Sequence, residues 1–286
     1  MTTRVAMPSL TLRPDQPFSL DATLACGQVF RWDRTADGWW YGVAGTRVMK
    51  IRQDGNRLTY AGAPASFVRD YFSLDTDLCA VLESIDTDPF IHAAIMRHRG
   101  LRLVRQPPWE CTVSYICSTN SNIPTIRRRI AAIAERCGRP VGFEGATYYL
   151  FPEPASILCG GYEGLTECRL GYRHPYVFGT SGLVTDEDEW EKMIRSLPYG
   201  EARRELMNLH GIGPKAADCI LLFAFQKYEA FPVDVWIRRI MQEHYLPDLS
   251  TGTPLTVREY DQIRSFARKH FGDYCGYAQE YLYAGR

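Results

Sequence analysis

Between Ser9 and about Ala61, short aromatic and β-branched runs alternate with turn formers, as in Phe30-Arg31-Trp32, Trp39-Trp40-Tyr41-Gly42-Val43 and Arg47-Val48-Met49-Lys50-Ile51. Runs of this length and composition predict strands, and their close succession predicts an antiparallel sheet. Thr35-Ala36-Asp37-Gly38 predicts a hairpin turn, because an Asp-Gly pair tolerates positive φ. From about Pro64 the period changes, with Phe67, Tyr71 and Phe72 at helical spacing. Paired prolines cannot extend a helix, so Gln106-Pro107-Pro108 sets a domain boundary. Beyond it, helical periodicity runs through 126–137, 186–197, 201–209, 216–228, 235–245 and 257–270, and a short aromatic helix covers 277–283. The aromatic residues of that last helix are explained equally well as core. The pattern predicts an α+β chain, with an N-terminal antiparallel β-sheet domain carrying some helices over 1–106 and a mostly α-helical region over 107–286. No repeat of the solenoid kind interrupts it.

Composition narrows the chemistry. With 286 residues and 45% hydrophobic content, the chain can bury one large core or several smaller ones. Lys+Arg and Asp+Glu are equal at 33 each, so any nucleic-acid contact must come from local features rather than bulk charge. Nine cysteines without a repeating spacing, and no charged-then-apolar leader, predict a reduced intracellular protein, in cytoplasm and nucleoid or in a nucleus. No run approaches the roughly 18 apolar residues of a membrane helix, so no membrane association is expected.

The sharpest local signal is Leu209-His210-Gly211-Ile212-Gly213-Pro214-Lys215, set between two helical patterns. It predicts a helix-hairpin-helix over about 201–228. Gly211 and Gly213 permit a tight turn, Ile212 plugs the helix interface, and Pro214 suits the first turn of the second helix. Such a turn exposes backbone N–H groups beside a helix N-terminus, where they bind phosphate without basic side chains. That resolves the puzzle of the neutral charge. An ordinary αα-hairpin with a glycine turn fits the motif as well.

Lys215 stands in the first turn of the second helix, where the macrodipole disfavours a cation. A neutral amine is what a nucleophile requires. Position alone is equally explained by a solvated lysine that binds phosphate. Nineteen residues on, Phe231-Pro232-Val233-Asp234-Val235 leads into an amphipathic helix that Asp234 can cap. A fixed carboxylate there is also what a positive charge developing on a deoxyribose ring would require.

Taken together, these residues resemble the helix-hairpin-helix glycosylase superfamily, and most closely its 8-oxoguanine DNA glycosylase/lyase family. The resemblance extends over nearly the whole chain. It is carried by Cys26-Gly27-Gln28-Val29-Phe30-Arg31-Trp32, by Tyr115-Ile116-Cys117-Ser118-Thr119-Asn120-Ser121-Asn122-Ile123 and by Leu170-Gly171-Tyr172-Arg173. The hairpin with Ala217-Asp218-Cys219, Pro232-Val233-Asp234-Val235 and Tyr277-Ala278-Gln279 complete it.

The resemblance implies a sheet domain like half of a TATA-binding protein, a helical body, and a bifunctional enzyme that flips 8-oxoguanine out of double-stranded DNA. It implies that Lys215 attacks C1′ to form a Schiff base, with strand cleavage by β-elimination following, and that Asp234 stabilises the cationic transition state. Cys219, one helical turn beyond Lys215, would touch one face of the extruded base and Tyr283 the other, with Gln279 on its Watson–Crick edge. Gly27 would present a backbone carbonyl to the N7–H that distinguishes 8-oxoguanine from guanine. Tyr172 would wedge into the vacated stack, and Asn120 and Arg173 would contact the opposite cytosine.

Three positions depart from the family's eukaryotic members. Thr125 replaces a second cytosine-contacting arginine, Ser121 interrupts a triple asparagine, and Trp236 replaces a histidine near the lesion's phosphate. A looser preference for cytosine opposite the lesion follows. Only Cys275 lies beyond Cys219, so no iron–sulfur cluster is expected, nor any other cofactor. The backbone of Met207, Leu209 and Ile212 would suit a structural cation, and a monomer is expected. The competing readings are an alkylation-type DNA glycosylase, which lacks a lysine at the hairpin, and a non-catalytic hairpin scaffold that only grips DNA.

Overall fold

A computed structural model describes residues 7–250 and 254–286. The N-terminal part forms one antiparallel sheet of five strands, β1 (Ser9–Thr11), β2 (Trp32–Arg34), β3 (Trp40–Ala44), β4 (Arg47–Asp54) and β5 (Arg57–Ala61), in the order β1-β5-β4-β3-β2. The Asp-Gly turn joins β2 to β3: Gly38 has φ +85°, and the Thr35 N–H donates to the Trp39 carbonyl at 2.8 Å. Alternation puts Trp32, Trp40, Met49, Ile51, Leu58 and Tyr60 on the inner face, against Leu20, Val68 and Phe72. The indole N–H of Trp32 donates to the Tyr71 hydroxyl at 2.9 Å, which lets both large polar-tipped rings be buried.

The helical body gathers around the helix Pro108–Ser118, which is buried on nearly every side and packs against the hairpin's second helix, Pro214–Phe225. Its start explains the paired prolines. Pro107 is the N-cap and Pro108 the first helical residue, where a missing N–H costs nothing. The helices Leu78–Ile85 and Pro89–Arg97 belong to this same large core and pack on the C-terminal helix Cys275–Ala284. Residues before Pro107 thus supply one core of their own and part of a second.

The helical region also holds a feature that periodicity did not reveal. Strands β6 (Pro140–Phe143) and β7 (Ala146–Tyr149) form a hairpin beside the sheet, where Val43, Val48 and Leu150 make a small apolar cluster. Each strand is four residues long and largely exposed, too short to alternate legibly.

A buried charge cluster locks the hairpin's second helix in place. Asp218 is inaccessible to solvent, accepts from Tyr199 Oη (2.6 Å), Tyr260 Oη (2.7 Å) and Arg203 Nε (3.0 Å), and lies 3.4 Å from Arg264 Nε. These partners come from Tyr199–Met207 and Val257–Phe271, the helices on either side. Burial alone pushes the Asp218 carboxyl up, while the two guanidiniums pull it back.

Candidate active site

The hairpin's geometry assigns different reasons to its two glycines. Gly211 has φ +79°, and a Cβ there would lie 2.7 Å from the Tyr176 ring, so both backbone and space demand glycine. Gly213 is extended (φ −94°, ψ −178°) with nothing near its missing Cβ. It is not needed for the turn; it leaves the N-terminus of Pro214–Phe225 uncovered. Ile212 is buried between the helices, and Thr180 donates to the His210 carbonyl at 3.0 Å, pinning the turn from below.

Lys215, in the first turn, is half-buried, with its ammonium 5.0 Å from the centre of the Tyr115 ring. Tyr115 stacks on Phe223 and meets Phe30 edge-on, so an aromatic floor lies under the lysine. Asp234 caps Val235–His244, its Oδ1 accepting from the N–H groups of Trp236 (3.0 Å) and Ile237 (2.8 Å). Cys219 is buried one turn after Lys215. Its thiol is pushed up to about 12 by burial, with the charge of Lys215 acting the other way, so it presents a neutral S–H.

These groups line one cavity of about 750 Å³. It brings together Gly27, Lys215, Cys219, Asp234, Gln279 and Tyr283, with Asn120, Gly211 and Gly213 also on its wall. Gly27 has φ +105°, and a Cβ there would stand 3.1 Å from Ile123 Cδ1 and 3.8 Å from the Tyr283 ring. The backbone therefore comes as close to the cavity as a side chain would. Gln279 is 5% exposed, and its Oε1 has no hydrogen-bond partner among the described residues.

Tyr172 and Arg173 stand outside that lining. Tyr172 is half-exposed and its hydroxyl accepts from Asn120 Nδ2 at 3.3 Å. Arg173 is only 4% exposed; its Nη2 donates to the Thr119 carbonyl, to Ser121 Oγ (3.1 Å) and to Tyr172 Oη (3.0 Å). The guanidinium braces the 119–121 loop from behind, and Asn120 tops that loop with φ +48°. The departures have neighbours that sequence did not show. Arg128 donates to Thr125 Oγ1 at 3.1 Å, and the Trp236 ring has the guanidiniums of Arg239 (5.2 Å) and Arg286 (6.0 Å) over it.

Several cavity residues escaped the sequence reading: Phe30, Tyr115, Phe223, Glu280 and Arg286. Glu280 had one available signal, as the only charge in the otherwise uncharged helix Cys275–Ala284.

A cavity entered by a hairpin-borne lysine and a helix-capping aspartate, on a sheet-plus-helices frame, defines a helix-hairpin-helix DNA glycosylase. Comparison with known proteins specifies the branch. Residues 10–112 match the family described as the 8-oxoguanine DNA glycosylase N-terminal domain. A probable N-glycosylase/DNA lyase of Methanothermobacter thermautotrophicus is 35% identical over 248 residues, covering 78% of this chain and 76% of that protein. The 8-oxoguanine glycosylase/lyase of Clostridium acetobutylicum superposes with a TM-score of 0.88 in its apo form, at 31% identity over 98% of both chains. The same enzyme with double-stranded DNA containing cytosine opposite 8-oxoguanine superposes at 0.87, with 30% identity and 98% coverage of both chains. The chain belongs to the 8-oxoguanine DNA glycosylase/lyase family.

Proposed function

We propose that this chain excises 8-oxoguanine from duplex DNA and then nicks the strand, with Lys215 as the covalent nucleophile. The observation that carries the reading is the meeting of Lys215, Asp234, Cys219, Gly27, Gln279 and Tyr283 on one cavity, although they come from four separate stretches of chain. The Lys215 amine attacks C1′, the C1′–N9 bond breaks, and its electron pair leaves with the base. Asp234, fixed by two backbone N–H groups, faces the positive charge that develops on the sugar. Cys219 and Tyr283 flank the extruded base, Gln279 meets its Watson–Crick edge, and the Gly27 carbonyl accepts from the N7–H that guanine lacks. The uncovered N–H groups at Gly213 and beyond take a backbone phosphate.

On the opposite strand, Asn120 contacts the unpaired cytosine, Tyr172 fills the gap, and Arg173 sets the position of the loop that carries Asn120. With Thr125 in place of an arginine, the preference for cytosine is looser than in the eukaryotic members. Among the described residues the carbonyls of Met207 and Ile212 accept no backbone N–H, which suits a hard cation with oxygen ligands, while that of Leu209 accepts from Ile212 at 3.3 Å. No helix among the described residues is long and apolar enough to cross a membrane. Action inside the cell as a monomer is part of the same proposal.

The test is excision from duplexes carrying 8-oxoguanine opposite each of the four bases, with borohydride trapping alongside. The wild-type chain yields a trapped adduct, and Lys215→Gln yields none while still binding lesion DNA. An adduct with Lys215→Gln would remove the lysine from its role; binding with no wild-type adduct would favour the scaffold. A steep loss of excision with every base but cytosine would refute the looser preference.

A further inference from the structure

Among the described residues two acidic side chains, Asp218 and Glu280, are buried outright, and Glu110 is largely covered at the join with the sheet. Asp218 has two arginines and two tyrosines, and Glu110 pairs with Arg31 at 3.3 Å. The third, Glu280, is 3% exposed, and its Oε1 is buried with no hydrogen-bond partner among the described residues. An unpaired carboxyl is expensive to bury, and among the described residues no cation forms an ion pair with it. Yet its side chain lies in the wall of the cavity that holds Lys215, Asp234 and Gln279.

The titratable and charged groups that interact with Glu280 come from several separate stretches of chain, and Lys215 lines the same cavity. The Cys26 thiol lies beside the carboxyl, Arg286 and Asp234 act on it at longer range, and Tyr115, Cys219 and Tyr283 feel its charge. Burial pushes Glu280 up to about 7, and only Cys26 and Arg286 oppose that. Near neutral pH the group therefore exists substantially as a neutral acid with one O–H donor, an arrangement known from other enzymes that hold a carboxylic acid protonated.

Its place in the cavity selects the atom it meets. Glu280 follows Gln279 in the helix, and its carboxyl adjoins Cys26, the neighbour of Gly27. On the purine perimeter, O6 lies between N7 and N1. Glu280 shares the cavity wall with Gly27 and Gln279, and O6 is the acceptor that lies between the two purine edges those residues would meet. We propose that Glu280, in its protonated form, donates a hydrogen bond to O6 of the extruded base and strengthens it as the base departs. This rests on the proposed function above. As C1′–N9 breaks, the electron pair that stays on the base spreads partly onto O6, so the donor meets more charge in the transition state than in the ground state. The proton remains on Glu280. An ionised Glu280 would instead repel O6 and the departing anion.

Single-turnover excision of 8-oxoguanine opposite cytosine, measured from pH 5.5 to 9, tests this. Wild-type excision falls as Glu280 ionises, approaching tenfold per pH unit above its midpoint. Glu280→Gln keeps a neutral donor at every pH and loses that decline, an effect that a packing role alone would not produce. Glu280→Ala slows excision at pH 6 by on the order of tenfold or more, because the donor is gone. The same alkaline decline in Glu280→Gln, or a wild-type rate in Glu280→Ala at pH 6, would overturn the assignment. A wild-type chain that excises no 8-oxoguanine at any pH would overturn the underlying function, so the two failures are distinct.

Discussion

The Asp234 carboxylate has two separable effects, and a one-atom change divides them. As an N-cap it accepts from two backbone N–H groups, and asparagine does this almost equally well. In the proposed chemistry it is a fixed anion on the cavity that Lys215 also lines, and there it has no neutral substitute. Asp234→Asn should therefore leave the urea unfolding midpoint close to wild type while single-turnover excision falls by on the order of a hundredfold. Asp234→Ala should add a loss of about 1 kcal/mol in stability from the missing cap. Near-normal excision by Asp234→Asn would mean that the carboxylate serves only the helix. Asp234 and Lys215 were legible in the sequence because each stands at a helix start, where one fits local electrostatics and the other opposes it. Glu280 was not, since its meaning depends on burial among Cys26, Tyr115 and Cys219, which are distant in the chain. Arg173 shows the complementary difficulty: the motif identified the residue, but only the structure shows its guanidinium turned onto the Thr119 carbonyl.

At the scale of elements, the amphipathic helices were legible, as were the buried helix marked by the glycine turn and the aromatic C-terminal helix, but the buried helix Pro108–Ser118 was not. Val257–Phe271 and Ile123–Cys137 each present an apolar stripe, whereas Pro108–Ser118 is buried at every position from Pro108 to Cys117 except Glu110 and has no polar face to mark its period. The hairpin shows the same limit on a smaller scale. Gly211 and Gly213 look equivalent in sequence, yet only the first has a left-handed backbone and a ring against its missing Cβ. Gly211→Ala should destabilise the fold by about 2 kcal/mol through the strained backbone, with additional cost from the Tyr176 contact. Gly213→Ala should change stability by less than about 0.5 kcal/mol, since its site is open. Its methyl group would instead stand before the N–H groups at the start of Pro214–Phe225. Anisotropy titration with duplex DNA should show weaker binding by Gly213→Ala, and unchanged affinity would remove this N-terminus from the phosphate contact.

Over the whole molecule, the balance of 33 basic and 33 acidic residues means that no excess charge governs its response to pH, so single buried groups become visible. Glu280 is the clearest. Its carboxyl is held at about 7 in the folded chain against an ordinary value of 4.5, so between these values the folded state retains a proton that the unfolded state has released. Stability from this group is complete below pH 4.5 and is lost progressively as pH rises to 7, by an amount on the order of 3 kcal/mol. Glu187, also pushed up to about 7 by burial and by neighbouring acids, acts in the same sense but is partly exposed and weaker for that reason. His98 opposes both: burial depresses its imidazole, so the folded state gains stability as pH rises toward 6.5. The wild-type melting curve sums these trends, and the difference between variants isolates one. The melting temperature of Glu280→Gln minus that of wild type should increase from pH 5 to pH 8 and level off above it. A difference that is flat with pH would mean that Glu280 titrates alike in the folded and unfolded chains. The carboxyl facing the base would then lack the environment that keeps it protonated. If the difference does grow with pH, the acid that aids departure of the base also makes the fold less stable at neutral pH, and the two effects would share one physical origin in its burial without a cation.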